Sequence, residues 1–348
     1  VVLLLESYSA DLIESLGGEP GITPIIAKLE REGLMFTNFY ANANRSQQAI
    51  GSLIGGLPGI PVTTITNHPE KYYALPSLTK ELKKAGYHTS FYFGGQLNYG
   101  NIRSYLIYNE IDRLVEEKDL PSKFSRGKLG VHDSDLLPFF ALDLNGNKEP
   151  FFSVAFTLSS HAPYDFPGPR PITWPQLERN HVNGAHYTDA AIGEFFELVR
   201  QQHWYNNTLF ILVADHSKST YRNHPLETFE YHKIPLLLLG PALTDSLRGK
   251  QTDRLFMNSD LPVTILKQLG LDAGAFRWSR DMFNPYSRQF AYFELNEGLG
   301  WKSPEGHFVW NRYADHYWQN SLKPEDDARV KQEGKAFLQV LFEEFIGY

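Results

Sequence analysis

The sequence predicts an α/β fold in which a large, mostly parallel central sheet lies between helices and a small antiparallel subdomain follows at the C-terminus. Short apolar runs alternate with segments of helical period through most of the chain, as successive strand–helix units require. Several runs, such as "VVLLL" and "PLLLL", are apolar without interruption, which suits strands buried on both faces. From about residue 288 the pattern changes to aromatic and polar alternation broken by Gly and Pro, which suits a small antiparallel sheet.

Taken in order, "VVLLLE" (1–6) reads as a buried strand and "TPIIAKLEREG" (23–33) as an amphipathic helix with a Gly stop. "LMFTNFYA" (34–41) follows as a strand. "SLTKELKKAGYHTSFYF" (77–93) gives a helix, a Gly turn and another strand. "PFFSVAFTLSS" (150–160) is a strand, "YTDAAIGEFFELVRQ" (187–201) a helix, "NTLFILVAD" (207–215) a strand and "IPLLLLG" (234–240) another. "SDLPVTILKQLGL" (259–271) is a helix with Pro in its first turn and a Gly stop. A last helix, about 325–345, closes the chain. With no internal repeat and no low-complexity linker, the expected division is a catalytic domain over 1–285 and a C-terminal subdomain over 286–348.

Composition narrows the function. A chain of 348 residues with 42% hydrophobic and 21% charged residues can bury a sizeable core. Its net charge of -7 leaves no basic footprint for nucleic acid. The absence of cysteine excludes disulfides, thiolate zinc sites and cysteine nucleophiles. No run approaches the ~18 apolar residues of a membrane span. The opening directly on an apolar strand suggests a catalytic portion whose upstream segment, carrying a membrane anchor, lies outside this sequence.

Ligands of open α/β sheets collect beyond the carboxyl ends of the strands. Two predicted strands end there in acids: Glu6 is the first charge after five apolar residues, and "FILVAD" runs into Asp215-His216. Two carboxylates and an imidazole form a hard-to-borderline donor set for a divalent cation. Taken singly, each is also what a strand end meeting solvent carries. A third strand end supplies His161, and "NANRSQQAIGSLIGGLPG" (42–59) sets Arg45-Ser46 before a region of helical character. There the free N–H groups and dipole of a helix N-terminus favour an anion, although serine is also a common cap.

Together, "LLLESYS", "RSQQ", "TLSSHAPY", "YTDAAIGEF", "VADHS", "KIPLLLLGP" and "SDLPVTILKQLGL" resemble the alkaline phosphatase superfamily. Within it the chain is similar to the sulfatase-like branch of lipoteichoic acid synthases and phosphoglycerol transferases, over roughly residues 1 to 275. The resemblance implies an alkaline phosphatase-like α/β/α sandwich and one divalent metal, manganese first, with magnesium or zinc as alternatives. The ion would be held by Glu6, Asp215 and His216 and touched by Ser46. Ser46 would be the nucleophile, forming a covalent phospho-serine, with Arg45, Asn101, His161 and His232 facing the substrate. The implied function is phosphoglycerol-type transfer on a lipid or glycan phosphoester, in a domain outside the cell membrane. A sulfatase or phosphodiesterase hydrolase and a non-catalytic binding domain are the alternatives.

Two departures bear on this. Sulfatases of the usual type need Cys or Ser in a C/S-x-P-x-R context to make formylglycine, whereas Ser46 is followed by Gln47, Gln48, Ala49 and Ile50, which favours phosphoryl chemistry. The lipoteichoic enzymes have a Trp-Asn-Arg stretch where this sequence has Gly100-Asn101-Ile102, with Arg103 displaced by one position. His132, Asp133 and Asp135 read as capping or local hydrogen bonding, His224 as a loop residue. The aromatics Trp301, Trp310, Tyr313 and Trp318 read as core ahead of a substrate wall.

Overall fold

The computed structural model describes residues 1–348. Fourteen strands form three sheets: β1 (Val2–Leu5), β2 (Leu34–Phe36), β3 (Phe39–Tyr40), β4 (His88–Phe93), β5 (Arg113–Val115), β6 (Phe151–Phe156), β7 (Phe210–Ala214), β8 (Leu236–Leu239), β9 (Lys250–Thr252), β10 (Phe256–Met257), β11 (Ala291–Leu295), β12 (Gly298–Ser303), β13 (Gly306–Asn311) and β14 (His316–Asn320). The helices are α1 (Pro24–Leu29), α2 (Ser46–Gly55), α3 (Leu78–Lys84), α4 (Ile102–Tyr108), α5 (Asp133–Asp143), α6 (Arg179–Val199), α7 (Phe229–His232), α8 (Leu261–Gln268) and α9 (Pro324–Gly347).

The central sheet has eight strands in the order β5-β4-β6-β1-β7-β8-β2-β9. Every pairing is parallel except those of β8 with β7 and with β2, so β8 alone runs against the rest. Strands β1, β7 and β8 are buried at every residue, which is why they read as uninterrupted apolar runs. Helices α1 and α5 both pack on α6, and α2, α3 and α8 form a second group, giving the two helical layers of an α/β/α sandwich.

The expected strand over 34–41 is divided: Leu34–Phe36 joins the central sheet beside β8, and Phe39–Tyr40 pairs with β10 in a two-stranded sheet. The helix over 23–33 is α-helical only to Leu29 and tightens to a 3-10 turn over Glu30–Glu32 before Gly33. The tract after residue 288 forms the antiparallel sheet β11-β12-β13-β14, with α9 packed against β12. Trp301 is buried there, stacked on Phe290 at 4.6 Å between ring centroids. One face of the sheet meets β3 and β10, and so reaches the region just before α2.

Candidate active site

The site begins with register. β1 and β7 are parallel neighbours, with Leu5 opposite Ala214. The next residues, Glu6 and Asp215, therefore leave the carboxyl ends of two adjacent strands side by side, and the Asp215 N–H still donates to the Leu5 carbonyl at 3.1 Å. His216 follows, with its Nε2 3.3 Å from Asp215 Oδ2 and 3.9 Å from Glu6 Oε1. One ligand atom from each of the three residues lies within 4.8 Å of the others.

A dense set of hydrogen bonds holds these groups. Ser7 has φ 57°, in the left-handed region that costs a non-glycine residue roughly 1–2 kcal/mol. Its N–H donates to Asp215 Oδ1 at 2.9 Å and its hydroxyl to Glu6 Oε1 at 2.6 Å. The His216 N–H donates to the same Asp215 oxygen at 2.7 Å, and Asn258 Nδ2 donates to the Asp215 carbonyl. Behind Glu6, Thr157 accepts its N–H and Ser160 donates to its carbonyl. His181, fully buried, lies 3.0 Å from the Ser7 carbonyl through Nε2, and burial lowers its pKa to about 3, so it is neutral.

Two atoms are left over. Asp215 Oδ2 is buried with no hydrogen-bond partner. His216 Nδ1 sits 2.8 Å from the Ser217 carbonyl, an arrangement that puts the proton on Nδ1 and leaves a lone pair on Nε2. Burial first, and the Glu6 carboxylate second, push the Asp215 pKa up to about 7. For His216, burial pulls the pKa down, but the Asp215 and Glu6 carboxylates overcome it and the net shift is upward. An orphaned carboxylate oxygen, a second carboxylate and an imidazole lone pair fit a divalent cation, and bonds of roughly 2–2.4 Å span the separations. Glu6, Asp215 and His216 could thus hold such an ion.

Ser46 opens α2 directly above this cluster. Its Oγ lies 3.3 Å from Glu6 Oε2 and 3.4 Å from His216 Nε2, so the sequence-expected ligands and nucleophile meet at one point. Arg45 is the extended N-cap residue and gives no side-chain capping bond, and the first amide N–H groups of the ten-residue helix have no partners within it. Arg45 itself is exposed.

The other expected substrate residues fall differently. His161 is exposed on the loop after β6, with Nδ1 2.6 Å from the Ala162 carbonyl. Asn101 lies at the start of α4 with φ 58° and donates to Asn67 Oδ1 at 3.1 Å. The preceding Gly100 is so close to α2 that a Cβ there would lie 3.2 Å from the Gln47 side chain. Arg103 pairs with Glu116 at 2.6 Å and is committed to that contact. His232 is corrected outright: 1% exposed, it stacks on Phe293 at 3.7 Å, and its Nε2 is 2.9 Å from the Leu226 carbonyl. Burial lowers its pKa to about 3, which makes it a neutral core residue with no face towards a substrate.

Asp133 does the local bonding expected of it, accepting from the N–H groups of Leu158 and Ser159 and from the Thr188 hydroxyl. Sequence reasoning missed Ser7, His181 and Asn258. Ser7 adjoins Glu6 and Asn258 adjoins the predicted start of α8, but nothing in the chain order brings His181 to the site. A cavity of about 520 Å³ lies among Val1, Phe152, Leu209 and Leu269, at the amino ends of the strands and away from this chemistry.

The sulfatase family model matches residues 1–271. The chain belongs to the sulfatase family. Family membership places it among enzymes acting on phosphoesters or sulfate esters. It is 20% identical over 363 residues to the lipoteichoic acid synthase-like protein YvgJ of Bacillus subtilis strain 168, covering 97% of this chain and 56% of that one, so it spans about half of that relative's length. Among solved structures it is similar to a protein of the alkaline phosphatase superfamily from Vibrio parahaemolyticus, with TM-score 0.84 and 27% identity over 99% of this chain and 87% of that one. The lipoteichoic acid synthase LtaP of Listeria monocytogenes has the same fold, with TM-score 0.76 and 18% identity over 99% and 91% of the two chains.

Proposed function

We propose that this chain is a metal-dependent phosphoryl-group transferase, of phosphoglycerol type, that works through a covalent phospho-serine at Ser46. The observation that carries the reading is the convergence of the Ser46 hydroxyl on Glu6 and His216 at the open end of α2. Glu6, Asp215 and His216 would hold a divalent cation, manganese first, which would supply Lewis-acid stabilisation of negative charge. Ser46 Oγ attacks phosphorus in line, forming the Oγ–P bond as the bond from phosphorus to the leaving alkoxide breaks. The serine proton goes to the adjacent Glu6 carboxylate, and the leaving alkoxide, on the far side of phosphorus, is protonated from solvent. The unpaired N–H groups and dipole at the start of α2 favour the anionic phosphoryl oxygens, and Arg45 is free to pair with one of them. An acceptor hydroxyl then attacks the same phosphorus and loses its proton to solvent, the Oγ–P bond breaks, and Glu6 returns its proton to Ser46 Oγ.

Phosphate is preferred to sulfate as the transferred group because the residue types of the usual formylglycine context, Pro and Arg, are Gln48 and Ile50 here. The kinship with lipoteichoic acid synthases supports a lipid or glycan phosphoester as substrate class and, with an attached anchor, a position outside the cell membrane. No helix of the chain itself is long and apolar enough to cross a membrane. Release of nitrophenol from bis(p-nitrophenyl) phosphate and from p-nitrophenyl sulfate, with manganese present, tests the reading. Manganese-dependent release from the phosphodiester alone is expected, and release from the sulfate ester alone would replace the proposal with a sulfatase.

A further inference from the structure

Beside the nucleophile lies a second cleft, of about 160 Å³, between the residues leading into α2 and the end of β11. Arg45, the neighbour of Ser46, forms part of its wall, and Glu294 of β11 reaches into it. Glu294 is 4% exposed. Its Oε1 accepts from Gln48 Nε2 at 3.2 Å, but its Oε2 is buried with no partner. A carboxylate oxygen kept dry and unpaired costs stability unless a ligand meets it. Burial pushes the Glu294 pKa up to about 7, against the lowering effect of Gln48 and Arg45.

The chemistry of the walls defines what fits. Glu227 and Glu297 join Glu294, so the cleft offers three carboxylates against one guanidinium and repels a second phosphate. Asn44 and Asn296 add donors and acceptors together, and Trp318, 37% exposed, presents an aromatic surface. Carboxylates and carboxamides beside an indole face suit hydroxyl groups on a carbon skeleton, and the volume takes a small polyol or one sugar ring but no acyl chain. The carboxylate excess by itself would also attract an ammonium group, so an amine probe separates recognition of charge from recognition of hydroxyls.

We infer that this cleft is the acceptor subsite, binding a neutral, hydroxyl-rich group, a polyol or sugar, whose free hydroxyl is presented to the phosphorylated Ser46. The inference rests on the transferase reading for its role in the reaction, while the binding itself is independent of catalysis.

Saturation-transfer NMR on the full chain tests it, with glucose and glycerol as probes and ethanolamine and inorganic phosphate as comparators. Transfer to the two polyols is expected, falling about ten-fold in Glu294→Gln as a hydrogen bond to a charged group is lost. Because a buried substitution can unfold the chain, Trp318→Ala at the exposed wall is measured alongside, with the same fall expected and the melting temperature as control. Polyol signals unchanged in both folded variants, or ethanolamine or phosphate preferred over glucose, would overturn the assignment. Adduct formation on Ser46 of the wild-type chain is read separately. Polyol binding lost in the variants without any wild-type adduct sustains the cleft and defeats the transferase reading, and an adduct without polyol binding does the reverse.

Discussion

Asp215 divides its two oxygens between different tasks. Oδ1 takes the N–H groups of Ser7 and His216 and fixes the local backbone, while Oδ2 is left bare towards His216 Nε2. Asp215→Asn keeps an oxygen for the first task and removes the anion from the second. Manganese affinity by isothermal titration should therefore fall by at least about 100-fold with the fold intact, since even outer-shell changes cost 10–100-fold. Equal affinity in the variant would remove Asp215 from the ligand set. Glu6, Asp215 and His216 were legible because each follows an apolar run with the first polar atoms beyond a strand. His232 was misread for a related reason: it also borders a strand, but Phe293, distant in the chain, covers it. Glu294 was invisible because an acid in an alternating strand reads as a solvent-facing residue, and only the docking of β11 near α2 buries it.

At the scale of elements, α1 shows how helices were partly legible. Its six residues lack a side-chain bond from the N-cap Thr23, and Asp189 of α6 supplies the cap from outside, accepting from the N–H groups of Ile25 and Ile26 at 2.8 and 2.9 Å. Burial raises the Asp189 pKa to about 6, against the pull of those two N–H groups. Between the ordinary carboxylate value and about 6, the folded chain keeps a proton that the unfolded chain has released. Stability from this residue is thus greatest at the acid end of that window and declines as pH rises through it. The stability of wild type relative to Asp189→Asn should drop by roughly 1–2 kcal/mol between pH 4.5 and 7.5, read from paired thermal melts. A constant difference would show that Asp189 titrates normally.

Helix α9 gives a second test of packing against propensity. Alanine for glycine inside a helix ordinarily stabilises by about 1 kcal/mol. At Gly334 an added Cβ would lie 2.7 Å from Phe308 and 2.9 Å from Trp301, so Gly334→Ala should lower the melting temperature, by about 1–3 kcal/mol of overpacking. A raised melting temperature would mean that α9 shifts freely on the sheet. No sequence pattern announced this contact, and of α5 only the capping residues at its start were legible, because its apolar residues surround Pro138 without a clear stripe.

For the whole molecule, the alternation of apolar runs and helices identified the sandwich, and the rule that ligands gather at carboxyl strand ends pointed to Glu6, Asp215 and His216, which the fold brings together. The strand order β5-β4-β6-β1-β7-β8-β2-β9 and the reversal of β8 were not legible, because uninterrupted apolar strands specify burial but not neighbours. The adjacency of β1 and β7 is the feature on which the site depends, and it joins residues more than 200 positions apart in the chain. A cation bound across that junction ties the two strand ends together only in the folded state. Manganese at 100 times its dissociation constant should stabilise the chain by about 2.7 kcal/mol, a shift of several degrees that chelation reverses. An unchanged melting temperature would place the metal elsewhere or nowhere.

The central claim is that Ser46 carries the phosphoryl group. Tandem mass spectrometry of the manganese-loaded chain after incubation with a phosphatidylglycerol donor tests it most directly, with Ser46→Ala as control. The account predicts a phosphoglycerol adduct confined to Ser46 and absent from the variant. An adduct on another residue, or none with metal demonstrably bound and donor consumed, would contradict it.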